Sequence, residues 1–215
     1  MKAIPFVFLL VLLQPAVTGG AAGPVTVVAF GDSLTAGYGV PSEETYPRLL
    51  EAYLRREGHD SRVIAAGKNG ETSGEAVTRL NTILRLKPHI VIVETGVNDL
   101  FRGIDTDTTE KNLRKIVRSL KGSGIEVLLA GFDFKRITSL DPDGRFTRLY
   151  RSLAADEDVA LIPFFLEGVA GVESLNLRDR VHPNGAGYRV VADNVLRHLL
   201  PLVERVERRL LKTEP

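Results

Sequence analysis

The sequence contains no cysteine. No disulfide framework or cysteine-held zinc site can be built from it, and no lipid can be attached through a cysteine behind its N-terminal apolar run. Neither sign of charge dominates: 28 basic residues stand against 27 acidic ones, for a net charge of +1. A nucleic-acid partner, which calls for a basic face, is therefore not expected. Long hydrophobic runs are scarce. The one that stands out, Ile4 to Leu13 (IPFVFLLVLL), is ten residues long, whereas a membrane-spanning helix takes roughly 20. Several motifs are missing as well. No Gly-Lys-Ser/Thr follows the glycine-rich stretch after Val27, so a P-loop is excluded, and glycines 31, 37 and 39 do not keep dinucleotide-binding spacing. Thr35 stands where a G-x-S-x-G elbow needs its last glycine. Without H-E-x-x-H or a similar pattern, metal catalysis is not expected.

Lys2, the ten-residue run and the small residues of AVTGGAAG together have the form of a secretory signal. Residues 1–22 are read as that signal, with cleavage near Ala22, and 23–215 as one domain exported to the periplasm or the medium. An uncleaved anchor and a plain hydrophobic tail remain open alternatives.

The 215 residues suffice for one domain with a sizeable core. From Val25 onward short apolar runs alternate with amphipathic stretches. Strands are predicted at Val25–Phe30, Ser61–Ala66, Ile90–Glu94, Glu126–Ala130 and Ala160–Phe164. Helices are predicted at Glu44–Glu57, Gly74–Leu86, Thr109–Leu120 (capped from Asp107 or Thr108), Arg145–Ala155 and Gly185 to about Leu200, the last continuing past Pro201 with a kink if at all. This alternation implies an α/β domain: a parallel five-stranded sheet covered on both faces, a three-layer α/β/α sandwich. Ligands of such sheets bind beyond the carboxyl ends of the strands.

Four polar clusters fall at that edge. Ser33 follows strand one in GDSLTAGYG, Gly70 follows strand two in NGETS, Asn98 follows strand three in TGVND, and His182 follows strand five in DRVHP. Each has a plain structural reading. Asp and Ser cap helices, Asn-Gly makes turns, and a loop histidine is usually a surface residue. Asp179, three residues before His182, changes the odds, because a carboxylate there can orient the imidazole. Pro183 also holds His182 out of helix. Ser33 needs a base to become a nucleophile, and His182 oriented by Asp179 would be one. The Ser33 N–H, the Gly70 N–H and the Asn98 amide are candidate donors to an oxyanion. Asp32 is read as support for the turn, and His59, His89 and His198 as structural or surface residues.

In this order the four clusters resemble the SGNH (GDSL) hydrolases, and GDSLTAGYGV, NGETS, GVNDLFRG, LIPFFLEGV and VHPNGAGY resemble in particular the bacterial arylesterase, thioesterase I and lysophospholipase L1 branch. The resemblance runs from about Val25 to Leu202. It implies a flavodoxin-like fold, a triad of Ser33, Asp179 and His182, an oxyanion hole of Ser33, Gly70 and Asn98, and no cofactor. It also implies hydrolysis of acyl esters, thioesters or lysophospholipids through an acyl-enzyme, and leaves a transient contact with a membrane surface open, as well as the oligomeric state. FDFKRITSLDPDGRF departs from the branch, where a shorter Pro- and Asn-containing loop leads to a Tyr in the place of Phe146. Phe101, Phe132 and Phe134 are candidate pocket walls or core. Two rival readings are a carbohydrate O-acetyl esterase on the same scaffold and a binding module without activity; the second expects a missing triad member, and none is missing.

Overall fold

A computed structural model describes residues 23–133 and 140–212. The leader assigned to 1–22 and the side chain of Phe134 lie outside these described residues. Five parallel strands form one sheet in the order β2-β1-β3-β4-β5: β1 Val25–Gly31, β2 Ser61–Gly67, β3 Ile90–Glu94, β4 Glu126–Ala130 and β5 Ala160–Ile162. The composition of each strand matches its place. Every residue of central β3 (IVIVE) is buried and β1 nearly matches it, whereas edge strand β2 is half-exposed beyond Ser61. Strands covered on both faces read as continuous apolar runs, and edge strands do not.

Helices α2 (Tyr46–Arg56) and α7 (Gly185–Leu211) pack together on one face. Helices α3 (Ser73–Arg85), α5 (Thr106–Gly122) and α6 (Arg145–Asp156) pack in sequence on the other. The three-layer architecture is as expected. Three details differ from expectation, and the last helix takes the alternative of continuing past Pro201. Two short helices, α1 (Ser33–Ala36) and α4 (Val97–Phe101), begin just past β1 and β3; at four and five residues they are too short to carry a hydrophobic period. Helix α5 starts three residues early, because Asp105 rather than Asp107 or Thr108 accepts from a first-turn N–H. Strand β5 stops at Ile162, where Pro163 cannot donate to a ladder. Helix α7 runs through Pro201 to Leu211 at the loss of one backbone donor.

The topology explains why strand one delivers a serine. The chain leaves β1 for β2 on one side and returns to β3 on the other, so the carboxyl ends of β1 and β3 flank the point where the strand order reverses. A crevice opens at such a point. Ser33 and Asn98 stand on its two banks, in the first turns of α1 and α4.

Candidate active site

Gly31 begins the site. A Cβ there would lie 2.2 Å from Thr35 Oγ1 and 2.3 Å from the Glu94 carbonyl oxygen. Only glycine lets β1 run this close to β3 before turning. Asp32 then caps α1, its Oδ1 accepting from the Leu34 N–H at 2.9 Å, and Ser33 is the first residue of that helix.

His182 arrives from the other end of the chain. Its loop is fixed by a bridge between Asn176 and Pro183 and by the Leu177 N–H donating to the His182 carbonyl at 2.8 Å. Asp179 Oδ1 accepts from the Val181 and His182 N–H groups at 2.9 and 3.0 Å, and Oδ2 stands 2.8 Å from His182 Nδ1. An ionised carboxylate only accepts, so Nδ1 carries the ring proton and Nε2 of the neutral ring is left as an acceptor. Nε2 lies 2.9 Å from Ser33 Oγ. Burial opposes charge on Asp179, but the two backbone donors and then the His182 ring outweigh it and hold the carboxyl below its usual range. The Tyr38 ring lies against the imidazole, centroids 4.7 Å apart.

Opposite the hydroxyl stand the expected oxyanion donors. Gly70 has φ +71°, a left-handed conformation that a side chain would strain, and its carbonyl accepts from Arg102 Nη2 at 2.6 Å. The amide of Asn98 faces the cavity from α4, with Nδ2 3.0 Å from Asp32 Oδ2 and 2.9 Å from the Glu71 carbonyl. Behind it, buried Asp99 accepts from the Ser73 N–H at 2.8 Å, from the Ser73 hydroxyl, and from Thr109 Oγ1 at 2.8 Å, joining the starts of α3, α4 and α5.

All five predicted residues thus meet at one rim of the sheet. Ser33, Gly70, Asn98 and His182 line a cavity of about 360 Å³ whose apolar wall includes Leu34, Val97, Phe132, Leu166 and, at the rim, Tyr38, Phe101 and Val181. Phe101 is 44% exposed and Phe132 is buried. Phe146 does not reach this wall; it packs on Tyr150 in the core, ring centroids 5.7 Å apart. Of the remaining histidines, the His89 ring accepts from the Thr26 N–H and His59 meets Glu207, both remote from the site.

Sequence reasoning missed the residues that hold the site from beneath. Glu94 is fully buried, its Oε2 accepting from Thr35 Oγ1 at 2.7 Å and the Asp32 N–H at 3.2 Å. Glu71 pairs with Arg79, which also donates to the Gly31 and Ala66 carbonyls at 3.0 and 2.7 Å, tying the ends of β1 and β2 together. The one available signal was that Glu94 ends an otherwise apolar strand. No group of three or more His, Cys, Asp or Glu side chains suited to a metal occurs among the described residues.

Comparison with known proteins agrees with the geometry. The esterase TesA of Pseudomonas aeruginosa is 35% identical over 179 residues, 83% of this chain and 89% of that one. Thioesterase 1/protease 1/lysophospholipase L1 of Escherichia coli is 33% identical over 201 residues, 93% of each chain. The crystal structure of AlinE4, an SGNH-hydrolase family esterase, superposes with a TM-score of 0.68 at 34% identity, covering 91% of this chain and 99% of that one. Residues 29–190 match the family profile itself, from within the strand that leads to Ser33 to beyond His182. The chain belongs to the GDSL-like lipase/acylhydrolase family.

Proposed function

We propose that this chain is an exported serine hydrolase of acyl esters and thioesters, with Ser33 as nucleophile, His182 as base and Asp179 as the group that orients it. The observation that carries the reading is the unbroken line from Asp179 Oδ2 through both ring nitrogens of His182 to Ser33 Oγ, at 2.8 and 2.9 Å.

The chemistry follows from that line. As Ser33 Oγ bonds to the acyl carbon, its proton passes to Nε2, and the Asp179 charge stabilises the imidazolium. The carbonyl oxygen becomes an oxyanion beside the Ser33 and Gly70 N–H groups and the Asn98 amide; one such donor is worth about 3 kcal/mol. When the tetrahedral species collapses, the bond to the leaving alcohol or thiol breaks and Nε2–H protonates that group. Water then adds to the acyl carbon as Nε2 takes its proton, and the acid leaves with Ser33 reprotonated. Every proton is returned.

The apolar wall supports chains longer than acetyl, since a cavity of about 360 Å³ exceeds what an acetyl group fills. Relatives named as esterase and as thioesterase and lysophospholipase support the same acyl class. Export rests on the leader form of residues 1–22. Outside the cytoplasm, where acyl-CoA is not at hand, lysophospholipids and other acyl esters are the physiological substrates. No helix among the described residues is long and apolar enough to cross a membrane.

A panel of purified parent and Ser33→Ala protein against C2 to C16 nitrophenyl esters, palmitoyl-CoA and lysophosphatidylcholine tests the reading. Turnover of the longer chains by the parent and none by the variant is expected. An acetyl-only profile would favour a deacetylase, and turnover by the variant would remove Ser33 from the mechanism.

A further inference from the structure

The side-chain amide of Asn98 has two ends of nearly the same shape. One donates hydrogen bonds and would stabilise an oxyanion; the other accepts and would repel it. Something must choose between them. Nδ2 is held by two acceptors that approach from different elements: Asp32 Oδ2, just past β1, at 3.0 Å, and the Glu71 carbonyl, just past β2, at 2.9 Å. Asp32 is fully buried and does not line the cavity, so it cannot touch substrate. Its other oxygen is already committed to the Leu34 N–H. Above about pH 7, where Asp32 is ionised, its carboxylate can only accept, so a flipped Asn98 would set its carbonyl oxygen against a buried negative charge. Capping a four-residue helix needs only one oxygen, which serine would provide. The second oxygen, aimed at Asn98, is unexplained by the cap.

From this juxtaposition we propose that Asp32 is a positioning residue for the hydrolysis reaction, selecting the donor end of the Asn98 amide and presenting it toward the carbonyl oxygen of the acyl group. The proposal rests on the reading of Asn98 as an oxyanion donor. Both Nδ2 hydrogens have acceptors in the free enzyme, so the oxyanion enters as a third. It draws on the hydrogen held by the neutral Glu71 carbonyl, while the carboxylate keeps the amide in register. Glu71 itself cannot drift, because Arg79 holds its carboxylate at 2.5 and 2.6 Å. The groups around Asp32 fit this role. Glu94 comes from β3, and Tyr46, Tyr150 and Tyr188 come from α2, α6 and α7. None is a cation that would draw the carboxylate away from Asn98; its other hydrogen-bond partners are the Leu34 and Ser33 N–H groups and the Glu94 side chain.

Asp32→Asn is the informative substitution, since it keeps shape and the capping oxygen but turns an NH₂ toward the NH₂ of Asn98. A double-mutant cycle with Asn98→Ala on a nitrophenyl ester reads the coupling. Asp32→Asn alone should lower kcat roughly 10- to 100-fold with KM unchanged, within the range for losing one oxyanion donor. In the Asn98→Ala background it should lower kcat no more than about twofold. An equal loss in both backgrounds overturns the proposal and leaves the role of Asn98 standing. No loss from Asn98→Ala alone overturns both, whereas Ser33→Ala still reports on the nucleophile. Should Asp32→Asn fail to fold, Asp32→Ser keeps the cap, cannot reach Asn98, and must give the same pattern; additivity there overturns the proposal equally.

Discussion

Ser33 and His182 are 149 positions apart in the chain, yet Oγ and Nε2 are 2.9 Å apart in space. Two features bring them together: a glycine-permitted turn at the end of β1, and a loop before α7 whose Asn184 caps that helix. Asn184 Oδ1 accepts from the Ala186 and Gly187 N–H groups, both at 3.0 Å, so the start of α7 fixes the loop that carries the histidine.

Asp179→Asn should leave the fold intact and lower kcat by roughly 10⁴, the magnitude known for the equivalent change in a serine protease. The Asn oxygen would keep the Val181 and His182 N–H groups, and its NH₂ would face Nδ1. The ring would then carry its proton on Nε2 and could not accept one from Ser33. Steady-state kinetics with an unchanged circular dichroism spectrum checks this; a loss under tenfold would contradict it.

Phe101→Ala should shift chain-length preference without a stability cost above about 0.5 kcal/mol, because partly exposed surface positions tolerate truncation. Phe132→Ala, at a buried part of the same wall, should cost about 3–5 kcal/mol as well. The contrast is measured by ester-series kinetics and denaturant midpoints. Equal destabilisation by both would contradict the rim and floor assignment.

Gly31→Ala should destabilise by more than the about 1–3 kcal/mol usual for overpacking, since the new methyl would meet Thr35 Oγ1 and the Glu94 carbonyl well inside contact distance. Activity should fall with it, because the displaced turn carries Ser33. A variant of parental Tm and kcat would show that the approach of β1 to β3 is looser than described.

Glu94→Gln tests the buried acid pair. Burial first, and then the Asp32 charge, raises Glu94 well above the usual carboxylate range, and burial pushes Asp32 up to about 7. Both hold their protons more tightly folded than unfolded. The stability this gives is complete below the unfolded carboxylate pKa values and is lost as pH rises through about 7 toward the Glu94 value. Glutamine at 94 does not titrate. The Tm of the variant minus that of the parent should therefore rise between about pH 5 and pH 8, by the equivalent of at most about 1.4 kcal/mol per pH unit. The difference cancels His89 and His198, whose depressed values act the other way in both proteins. A difference independent of pH would contradict the assignment.

The sheet and its covering helices were legible because their signals are local and repeated: IVIVE has the composition of a strand buried on both faces, and Tyr46, Leu50 and Leu54 mark one face of α2. The five candidate site residues were legible because each sits in a short motif: Ser33, Gly70 and Asn98 within four residues of a strand end, Asp179 and His182 in the loop before α7. The support beneath them was not. Asp32 with Asn98, Asp99 with Ser73, and Arg79 with the carbonyls of β1 and β2 are pairs 66, 26, 48 and 13 positions apart. No periodicity marks such partners. Helices α1 and α4 escaped for the opposite reason: each is hardly more than one turn, held by its surroundings rather than by an apolar stripe.

The most direct test of the central claim is to find where a fluorophosphonate reacts, by mass spectrometry of peptides from the labelled protein. A single adduct on the peptide carrying Ser33, absent from Ser33→Ala and strongly slowed by His182→Ala, is the predicted result. Labelling of a different residue, or of Ser33 at an undiminished rate without His182, would contradict it.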